Sequence, residues 1–511
     1  MALSKLVSLC FICFIGLFIF FIRSTNKWHQ LAVCEIENVH KLVVGITLAF
    51  TILVCILPMP LSPYWNGTLH WAADMQQYGR LADALLEGHL YIDKGDIDPL
   101  LEAMDNPYDT EAREKLGVKS HWDEVYYNHH YYTYFGIVPT VILFIPFRLL
   151  TGKMLLSYQA TQIFAVLAIV GMFYLLFILC KVLFSKFPFS LYLLLSVTLA
   201  VLCIGYSIAA PALYCTAIVS AICLVLWSFI FLIKAIWCNV TLLTSKKYLF
   251  VGGLLGAMAF GCRPPVALAD LVVIPIMWHI KKSVCLSTQE KIKNIMYLLF
   301  PYIIIGILLM VYNYARFGNV FEFGISYQLT VTDQHLYQDF WNRFDVKRLL
   351  DGFLFLMCGC KCTFMDVFPF VNIMLFGVFL KYPILILTMH LFSEKIKELL
   401  RIKGMLLFFL VLNFSAYIIS INDVYWTPVP HPRYQLDFTF LLCIVAFVVI
   451  GSWLTQLAGR KRLIMIETMV ILCFSSLIAQ FLLFCTPFDI SYTMYYPNVL
   501  LEIQRGLLFD Y

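Results

Sequence analysis

The chain has 511 residues, of which 61% are hydrophobic and only 13% are charged. A soluble globular protein is about half apolar and about a quarter charged, so this composition excludes an ordinary soluble domain. The net charge of +5 arises from short basic clusters between apolar runs, without the interleaved aromatic residues of a nucleic-acid-binding face. We therefore predict no nucleic-acid partner.

Apolar runs long enough to cross a membrane recur along the chain, since about 20 apolar residues span the hydrocarbon core. They predict an all-α, polytopic membrane protein with about twelve crossings. The predicted crossings are residues 6–22, 43–60, 156–180, 188–207, 212–233, 248–261, 265–280, 295–315, 366–392, 405–420, 436–456 and 463–485. The first is predicted to be an uncleaved anchor, because basic residues follow it and a small-residue cleavage site is missing.

Residues 135–150 are also apolar, but they contain two prolines and an arginine. Six short loops hold 19 of the 36 basic residues, and these loops share one side of the membrane only if 135–150 does not cross. Basic loops are cytoplasmic by the positive-inside rule. The segment is therefore predicted to be re-entrant or juxtamembrane. The long polar segments then lie on the outer face, and the first of them, residues 61–158, holds thirteen acidic residues.

The outer loop begins with a predicted amphipathic helix within residues 71–92, where apolar residues recur at helical spacing and Gly88 is a plausible terminator. Asp74 lies near the start of this helix and close to the membrane surface. A carboxylate there is suited to accept a proton from a sugar hydroxyl. From the residue pattern alone, an aspartate that complements the helix dipole is the simpler interpretation.

A second acidic position follows at Asp123 and Glu124, beside His129 and His130. These residue types bind divalent metal ions, but neighbouring residues point in different directions on regular structure and no HExxH spacing is present. The sequence leaves open whether Asp123, Glu124 and His129 hold a divalent metal, and it predicts no other cofactor.

Five segments in chain order resemble GT-C membrane glycosyltransferases, a superfamily that includes protein O-mannosyltransferases and bacterial lipid A aminoarabinose transferases. The resemblance spans most of residues 60–440 and is strongest to bacterial members. The segments are D-x3-Y-x2-LADALLEGHL from Asp74, YYNHHYYTYFGIVPTVILFIPFRLLTG (126–152), GCRPPVAL (261–268), YNYARFGNVFEFGISYQL (312–329) and HPRYQLDF (431–438).

The resemblance implies an inverting transferase that takes a sugar from a polyprenyl-phosphate carrier on the outer face. Asp74 matches the general-base aspartate of the family, and Asp123 matches a recurring acidic position that supports the acceptor or a metal. The lysine of the family's KPP-type motif is missing from TYFGIVP, and His130 stands where nearer relatives often have lysine.

A phosphate leaving group needs a cation near the membrane surface, and the planar arginine side chain binds its oxygens with two donors. Arg263, Arg316 and Arg433 lie at predicted outer span ends, and Arg433 resembles the family's donor-site arginine. His130 is a further candidate. The alternative for each arginine is an interfacial side chain that reaches to lipid head groups.

Two ionisable residues, Asp270 and Lys381, fall within predicted spans, where charge is costly and often functional. The sequence leaves open whether they pair, or whether the Lys-Tyr-Pro segment from Lys381 marks a broken helix.

Together these observations predict an anchor and linker (1–42), a GT-C-like catalytic module (43–330) and C-terminal helices and loops (331–511). The predicted activity is transfer of a sugar from a polyprenyl-phosphate donor to a cell-envelope polysaccharide or lipid, in a bacterial plasma membrane. The alternatives are a transporter or flippase of lipid-linked sugars, which would carry paired intramembrane charges, and a non-catalytic scaffold.

Overall fold

The computed structural model describes residues 2–23, 27–62, 76–93, 95, 97–211, 213–238, 242–337, 344–366, 368–426, 431–486 and 497–508. In this part of the chain the protein is a bundle of long helices with two small antiparallel β-hairpins. The predicted all-α class is confirmed.

The helices and strands have the following bounds. The helices are α1 (Ala2–Ile22), α2 (Lys27–Gln30), α3 (Asn38–Ile56), α4 (Gln77–Glu87), α5 (Pro99–Glu102), α6 (Thr110–Leu116), α7 (Ile145–Thr151), α8 (Ser157–Leu183), α9 (Phe189–Ile204), α10 (Leu213–Trp237), α11 (Leu242–Phe260), α12 (Pro264–Ala267), α13 (Val273–Lys282), α14 (Thr288–Phe317), α15 (Val346–Cys358), α16 (Val378–Lys381), α17 (Glu394–Ile402), α18 (Leu406–Trp426), α19 (Pro432–Gln456), α20 (Gly459–Cys485) and α21 (Pro497–Leu508). The strands are β1 (Val125–Tyr127), β2 (His130–Tyr132), β3 (Cys360–Phe364) and β4 (Val371–Phe376).

Ten helical segments in the described part of the chain are long and apolar enough to cross a membrane. They are α1, α3, α8, α9, α10, the continuous stretch Pro264–Lys282, α14, α18, α19 and α20. The chain is therefore a multi-pass membrane protein. About twelve crossings were predicted, and ten of them correspond to such helices among the described residues. The other two differ for separate reasons.

The first difference is α11, which corresponds to the predicted crossing 248–261; it has 19 residues, but two lysines near its start lower its hydropathy. It packs antiparallel along α10, since Ser245 Oγ donates to the carbonyl oxygen of Ala235 at 3.1 Å and Ser228 Oγ donates to that of Gly252 at 2.8 Å.

The second difference is the predicted crossing 366–392, whose first part forms β4 rather than helix. The remainder is broken at Tyr382 between α16 and a 3-10 helix, Pro383–Phe392. This broken segment descends along α19, since Lys381 bonds to Gln435 at 2.6 Å and the ring of His390 lies 4.9 Å from that of Trp453. The broken helix is confirmed, because proline interrupts the hydrogen-bond ladder.

Helices α9, α10 and α19 form the centre of the bundle, and 89% of the residues in their most apolar stretches are buried. The corresponding share is 6% in α1 and 17% in α3 and α14. Contiguous exposed apolar surface of this kind faces lipid in a membrane protein. The polar chemistry must therefore lie at the ends of the central helices.

One end of the bundle, here called the loop end, is where α3 ends and α8 begins. Gln162 Nε2 donates to Ile56 O at 2.9 Å, and the backbone of Ser157 donates to Gln76 Oε1 at 3.1 Å. Residues 76–156 cover this end. The segment 140–151 forms only a short helix between two loop-end contacts, so the prediction that 135–150 does not cross is confirmed.

The predicted amphipathic helix is observed as α4, and Gly88 ends it in the left-handed conformation with φ +91°. Its first predicted turn lies outside the described residues. The buried face of α4 packs on the apolar segment 140–151, where the ring of Tyr78 stacks on Phe144 with centroids 5.3 Å apart. The apolar stripe therefore faces protein.

Candidate active site

Asp123 is buried at the loop end with a backbone φ of +58°, a left-handed conformation that aspartate adopts more readily than most residues. Its amide donates to Leu329 O at 2.9 Å, which fixes the backbone. One carboxyl oxygen accepts from the hydroxyl of Tyr214, and the other accepts from Gln328 Nε2 at 3.1 Å. The carboxylate is thus aimed at the first turn of α10.

Arg433 lies in the first turn of α19, directly above the same tyrosine. Its guanidinium carbon is 4.3 Å from the ring centroid of Tyr214 and 4.9 Å from that of Tyr434. Nη2 also donates to the Tyr434 hydroxyl at 3.1 Å. Within the described part of the chain no carboxylate forms an ion pair with Arg433. Cation–π contacts with the two aromatic rings stabilise its charge by about 1 kcal/mol each. Its remaining N–H donors can bind an anion.

Tyr134 lies among the charged groups of this end. Burial raises the pKa of its hydroxyl, and the charge of Arg263 opposes that shift. The charge of Asp123 raises the pKa further, and the charge of Arg433 lowers it. The ring of Phe135, the next residue, meets that of Tyr214 edge-on at 5.5 Å. Asp123, Tyr134, Tyr214, Arg263 and Arg433 therefore belong to one cluster, here called the loop-end cluster.

His431 caps α19 by accepting the backbone N–H of Arg433 on Nδ1 at 3.1 Å. Burial lowers the pKa of His431 well below its usual range, and the charges of Arg433 and Lys381 lower it further. The neutral ring then carries its proton on Nε2, because Nδ1 is the acceptor. The cap therefore holds the first turn of α19 without adding charge to it.

Arg263, the second predicted phosphate ligand, is bound to a carboxylate. Nε lies 2.9 and 3.0 Å from the two oxygens of Asp437, and Nη2 lies 2.6 Å from one of them. Asp437 is fully buried, and 18% of the Arg263 side chain is exposed. A two-pronged pair of this kind uses the Nε–H and Nη2 donors and neutralises the guanidinium charge. Arg263 therefore joins the 261–263 turn to α19 and is less suited than Arg433 to binding phosphate.

The turn that carries Arg263 packs against the loop-end segment through two glycines. A Cβ atom on Gly136 would overlap the carbonyl group of Gly261, and the backbone of Val138 donates to that same carbonyl at 3.0 Å. Only a residue without a side chain permits this approach of two backbones.

We expect Gly136→Ala to destabilise the protein by about 1–3 kcal/mol, because the added methyl group must push apart two hydrogen-bonded backbone segments. The melting temperature of the purified protein in detergent measures the change. Gly45→Ala in α3 is the matched control, since nothing lies within 4 Å of the added atom. Equal melting temperatures for the two variants would contradict the close approach.

Arg316, the third predicted phosphate ligand, is buried at the end of α14. Nη1 donates to Thr133 O at 2.9 Å, Nη2 donates to Asn313 Oδ1 at 2.9 Å, and the guanidinium lies 4.0 Å from the ring of Tyr312. These contacts anchor the loop-end segment to α14. The structure gives Arg316 this anchoring position rather than a free face for phosphate.

His130 lies on the β1–β2 hairpin, where Nδ1 is 3.2 Å from Asp93 Oδ2 and the ring stacks on Tyr91 at 4.2 Å. The same Asp93 oxygen accepts the backbone N–H of Tyr131 at 3.0 Å. His130 is thus held by the hairpin. None of its described contacts joins it to Arg433.

The three predicted metal ligands point apart. Asp123 faces Tyr214, Glu124 forms an ion pair with Arg80, and His129 lies 3.7 Å from Glu102 at the surface. Among the described residues no group of three His, Cys, Asp or Glu side chains is arranged to hold a metal ion. The structure does not bring this set together.

Asp74, the predicted general base, lies outside the described residues. The nearest described residue after it is Gln76, whose side-chain oxygen binds the backbone of Ser157 at the start of α8. Gln77 Nε2 in turn donates to Asp123 O at 3.2 Å. The described chain therefore resumes at Gln76 and Gln77, which contact Ser157 and Asp123.

Sequence reasoning missed the residues that hold the predicted ones: Tyr214, Gln328, Tyr434 and Asp437. The sequence did contain a signal for Asp437, because a carboxylate at the edge of an apolar span needs a partner. Tyr214 had none beyond its position at the start of a span. Asp270 and Lys381, left open as a pair, do not pair: Lys381 Nζ donates to Gln435 Oε1 and to Met374 O.

No protein-family model matches the sequence, and no curated protein matches it. Among solved structures, the chain is similar to the oligosaccharyltransferase of the archaeon Archaeoglobus fulgidus. For the apo form the TM-score is 0.46 at 10% sequence identity, with 86% of this chain and 56% of that chain covered. For the complex with an inhibitory peptide and a dolichol-phosphate the TM-score is 0.45 at 12% identity, with 88% and 56% covered. The chain thus spans 56% of the length of either structure.

Proposed function

We propose that the protein is a GT-C membrane glycosyltransferase that moves a sugar from a polyprenyl-phosphate donor to an acceptor at the loop end. The observation that carries the proposal is Arg433, held between the rings of Tyr214 and Tyr434 beside Asp123, with donors left for an anion. The sequence segments that resemble the superfamily supply the reaction type.

In the proposed reaction an acceptor hydroxyl attacks the anomeric carbon of the sugar, and the bond from that carbon to the phosphate oxygen breaks with inversion. Negative charge grows on the departing phosphate, and a preorganised guanidinium stabilises it. Arg433 is suited to this role, and the positive end of the α19 dipole adds to its field. The lipid tail of the carrier would remain in the membrane beside the bundle.

The acceptor proton requires a base, and we assign it to Asp74 on the sequence resemblance. Asp123 is less suited, because both of its oxygens already accept hydrogen bonds, from Tyr214 and from Gln328. We assign Asp123 to orienting Tyr214 and, through it, Arg433. Arg263, Arg316 and His130 are assigned to positioning the surrounding segments, because each contacts a carboxylate or a backbone carbonyl of a neighbouring segment.

The proposed acceptor is a cell-envelope polysaccharide or lipid, and the proposed location is the plasma membrane of a bacterium. These proposals rest on the resemblance to bacterial members of the superfamily and on the acidic, polar loop end. A divalent metal is not assigned to particular residues, so the test includes a chelator.

The experiment is sugar transfer by the purified protein in detergent, with radiolabelled polyprenyl-phosphate sugars and membrane-extract acceptors, each with and without EDTA. The expected result is movement of label from the lipid phase into an acceptor fraction. If no donor in the panel is consumed while the carrier lipid still binds, the transferase proposal fails and the transporter or scaffold alternative replaces it. Loss of transfer in EDTA alone would assign a metal requirement.

A further inference from the structure

A buried carboxyl group lies within the membrane, away from the loop-end cluster. Asp270 belongs to the 3-10 helix Leu268–Val272, which follows α12 in the membrane-spanning stretch Pro264–Lys282. Only 7% of the residue is exposed. An ionised carboxylate at such a position costs several kcal/mol unless a cation or several donors accompany it.

Asp270 has neither. In the part of the chain that the structure describes, both of its carboxyl oxygens are buried and without a hydrogen-bond partner. Lys381, the other ionisable residue in a predicted span, bonds to Gln435 and Met374 instead. The charged pairs of the loop end involve other carboxylates, such as Asp437 with Arg263.

The group that faces Asp270 is the hydroxyl of Tyr302 on α14, which is also buried without a hydrogen-bond partner among the described residues. The two meet at Gly256 of α11. A Cβ atom there would lie 2.8 Å from each Asp270 oxygen and would overlap the Tyr302 hydroxyl. Tyr302 is thus the titratable side chain that meets Asp270 at Gly256 among the described residues.

We propose that Asp270 is a proton-binding site within the membrane, held as the neutral acid opposite the Tyr302 hydroxyl in the space that Gly256 leaves open. The neutral form removes the charge that hydrocarbon would penalise. A hard metal cation is a poorer occupant, because two carboxyl oxygens and one hydroxyl are fewer than the six or more oxygens such ions collect. This assignment does not rest on the proposed transferase activity.

This site has a physical consequence for the helices that meet there. Losing the proton would place a negative charge where α11, α14 and the 268–272 turn meet, with no cation to receive it. The turn lies seven residues after Arg263 in the chain, so ionisation would disturb the segment that carries the Arg263–Asp437 pair. The carboxyl group must therefore keep its proton at neutral pH for the three elements to stay packed.

The test is labelling of the purified full chain in detergent with dicyclohexylcarbodiimide, a hydrophobic reagent that adds to protonated carboxyl groups in apolar surroundings. Peptide mass spectrometry then locates the adduct. We expect an adduct on Asp270 at neutral and mildly acidic pH, a decrease at alkaline pH, and its loss in Asp270→Asn. Asp437 is the internal control, since it is also buried but is paired with Arg263, and it is expected to stay unlabelled.

Three outcomes would overturn the proposal: no adduct on Asp270 in folded protein, equal labelling of Asp437, or protection of Asp270 by sodium or lithium at constant pH, which would make it a cation site. Melting temperature provides a second measurement that does not depend on reagent access. Asp270→Asn keeps the shape of the neutral acid, so its melting temperature is expected to equal or exceed that of the wild type at neutral pH. A marked decrease would show that the native group is charged and paired.

Discussion

Replacing Arg433 with alanine is expected to lower the rate of sugar transfer by roughly 10²–10³-fold, because the departing phosphate loses a preorganised charge. Folding should be retained, since Arg433 is held by the rings of Tyr214 and Tyr434 and by one hydroxyl rather than by a buried carboxylate. Arg433→Lys should recover little of the rate, because an ammonium group cannot reproduce the planar fork over two rings. Initial rates with saturating acceptor measure the effect.

Two further variants make this result specific. Arg505→Ala removes an exposed arginine paired with Glu502 and should leave transfer unchanged. Asp74→Asn should stop transfer while the protein still binds the donor lipid, whereas Arg433→Ala should weaken donor binding as well. Wild-type transfer by the Arg433→Ala protein would remove Arg433 from the proposed site, and wild-type transfer by Asp74→Asn would remove the proposed base.

Breaking the Arg263–Asp437 pair is expected to cost about 3–5 kcal/mol of folding free energy, because the remaining charge stays buried without its partner. Three contacts of 2.6–3.0 Å join the two side chains, and Asp437 is fully buried. Arg263→Ala and Asp437→Asn should each lower the melting temperature in detergent by several degrees. Transfer should fall in both variants, since the pair fixes the 261–263 turn beside the loop-end cluster.

The double variant distinguishes a pair from two separate effects. If the residues interact as the structure indicates, Arg263→Ala with Asp437→Asn should be no less stable than the worse single variant. Destabilisation that equals the sum of the two single effects would show that each residue acts alone. Arg148→Ala is a suitable control, because its ion pair with Asp83 lies partly in solvent, where such pairs contribute at most about 1 kcal/mol.

Much of the fold followed from local patterns. Ten of the predicted crossings coincide with helices long and apolar enough to span a membrane, and Gly88 ends α4 as its position after an amphipathic run predicted. The charge of distant loops predicted that the segment 135–150 does not cross the membrane, and the structure agrees. The predicted crossing 366–392 is not one continuous helix. Its residues form β4 and a broken helix, and both have apolar sequences.

The candidate site was predictable only as a list of residue types. Arg263, Arg316 and Arg433 all follow the same pattern, an arginine at a span end, yet their surroundings differ. Arg263 binds a carboxylate, Arg316 binds a backbone carbonyl, and Arg433 rests on two rings. The residues that make this difference, Asp437, Thr133 and Tyr214, carry no local signal that assigns them to a partner.

The sequence by itself determined that the chain crosses a membrane many times and that its polar loops gather at one end. Hydrophobicity and loop charge act over stretches of about 20 residues, so they are readable without a fold. Only the tertiary structure decided which arginine keeps donors for a ligand and which carboxyl group lacks a partner. Those contacts join Arg263 to Asp437 across 174 positions and Asp123 to Tyr214 across 91, and they depend on how the helices pack.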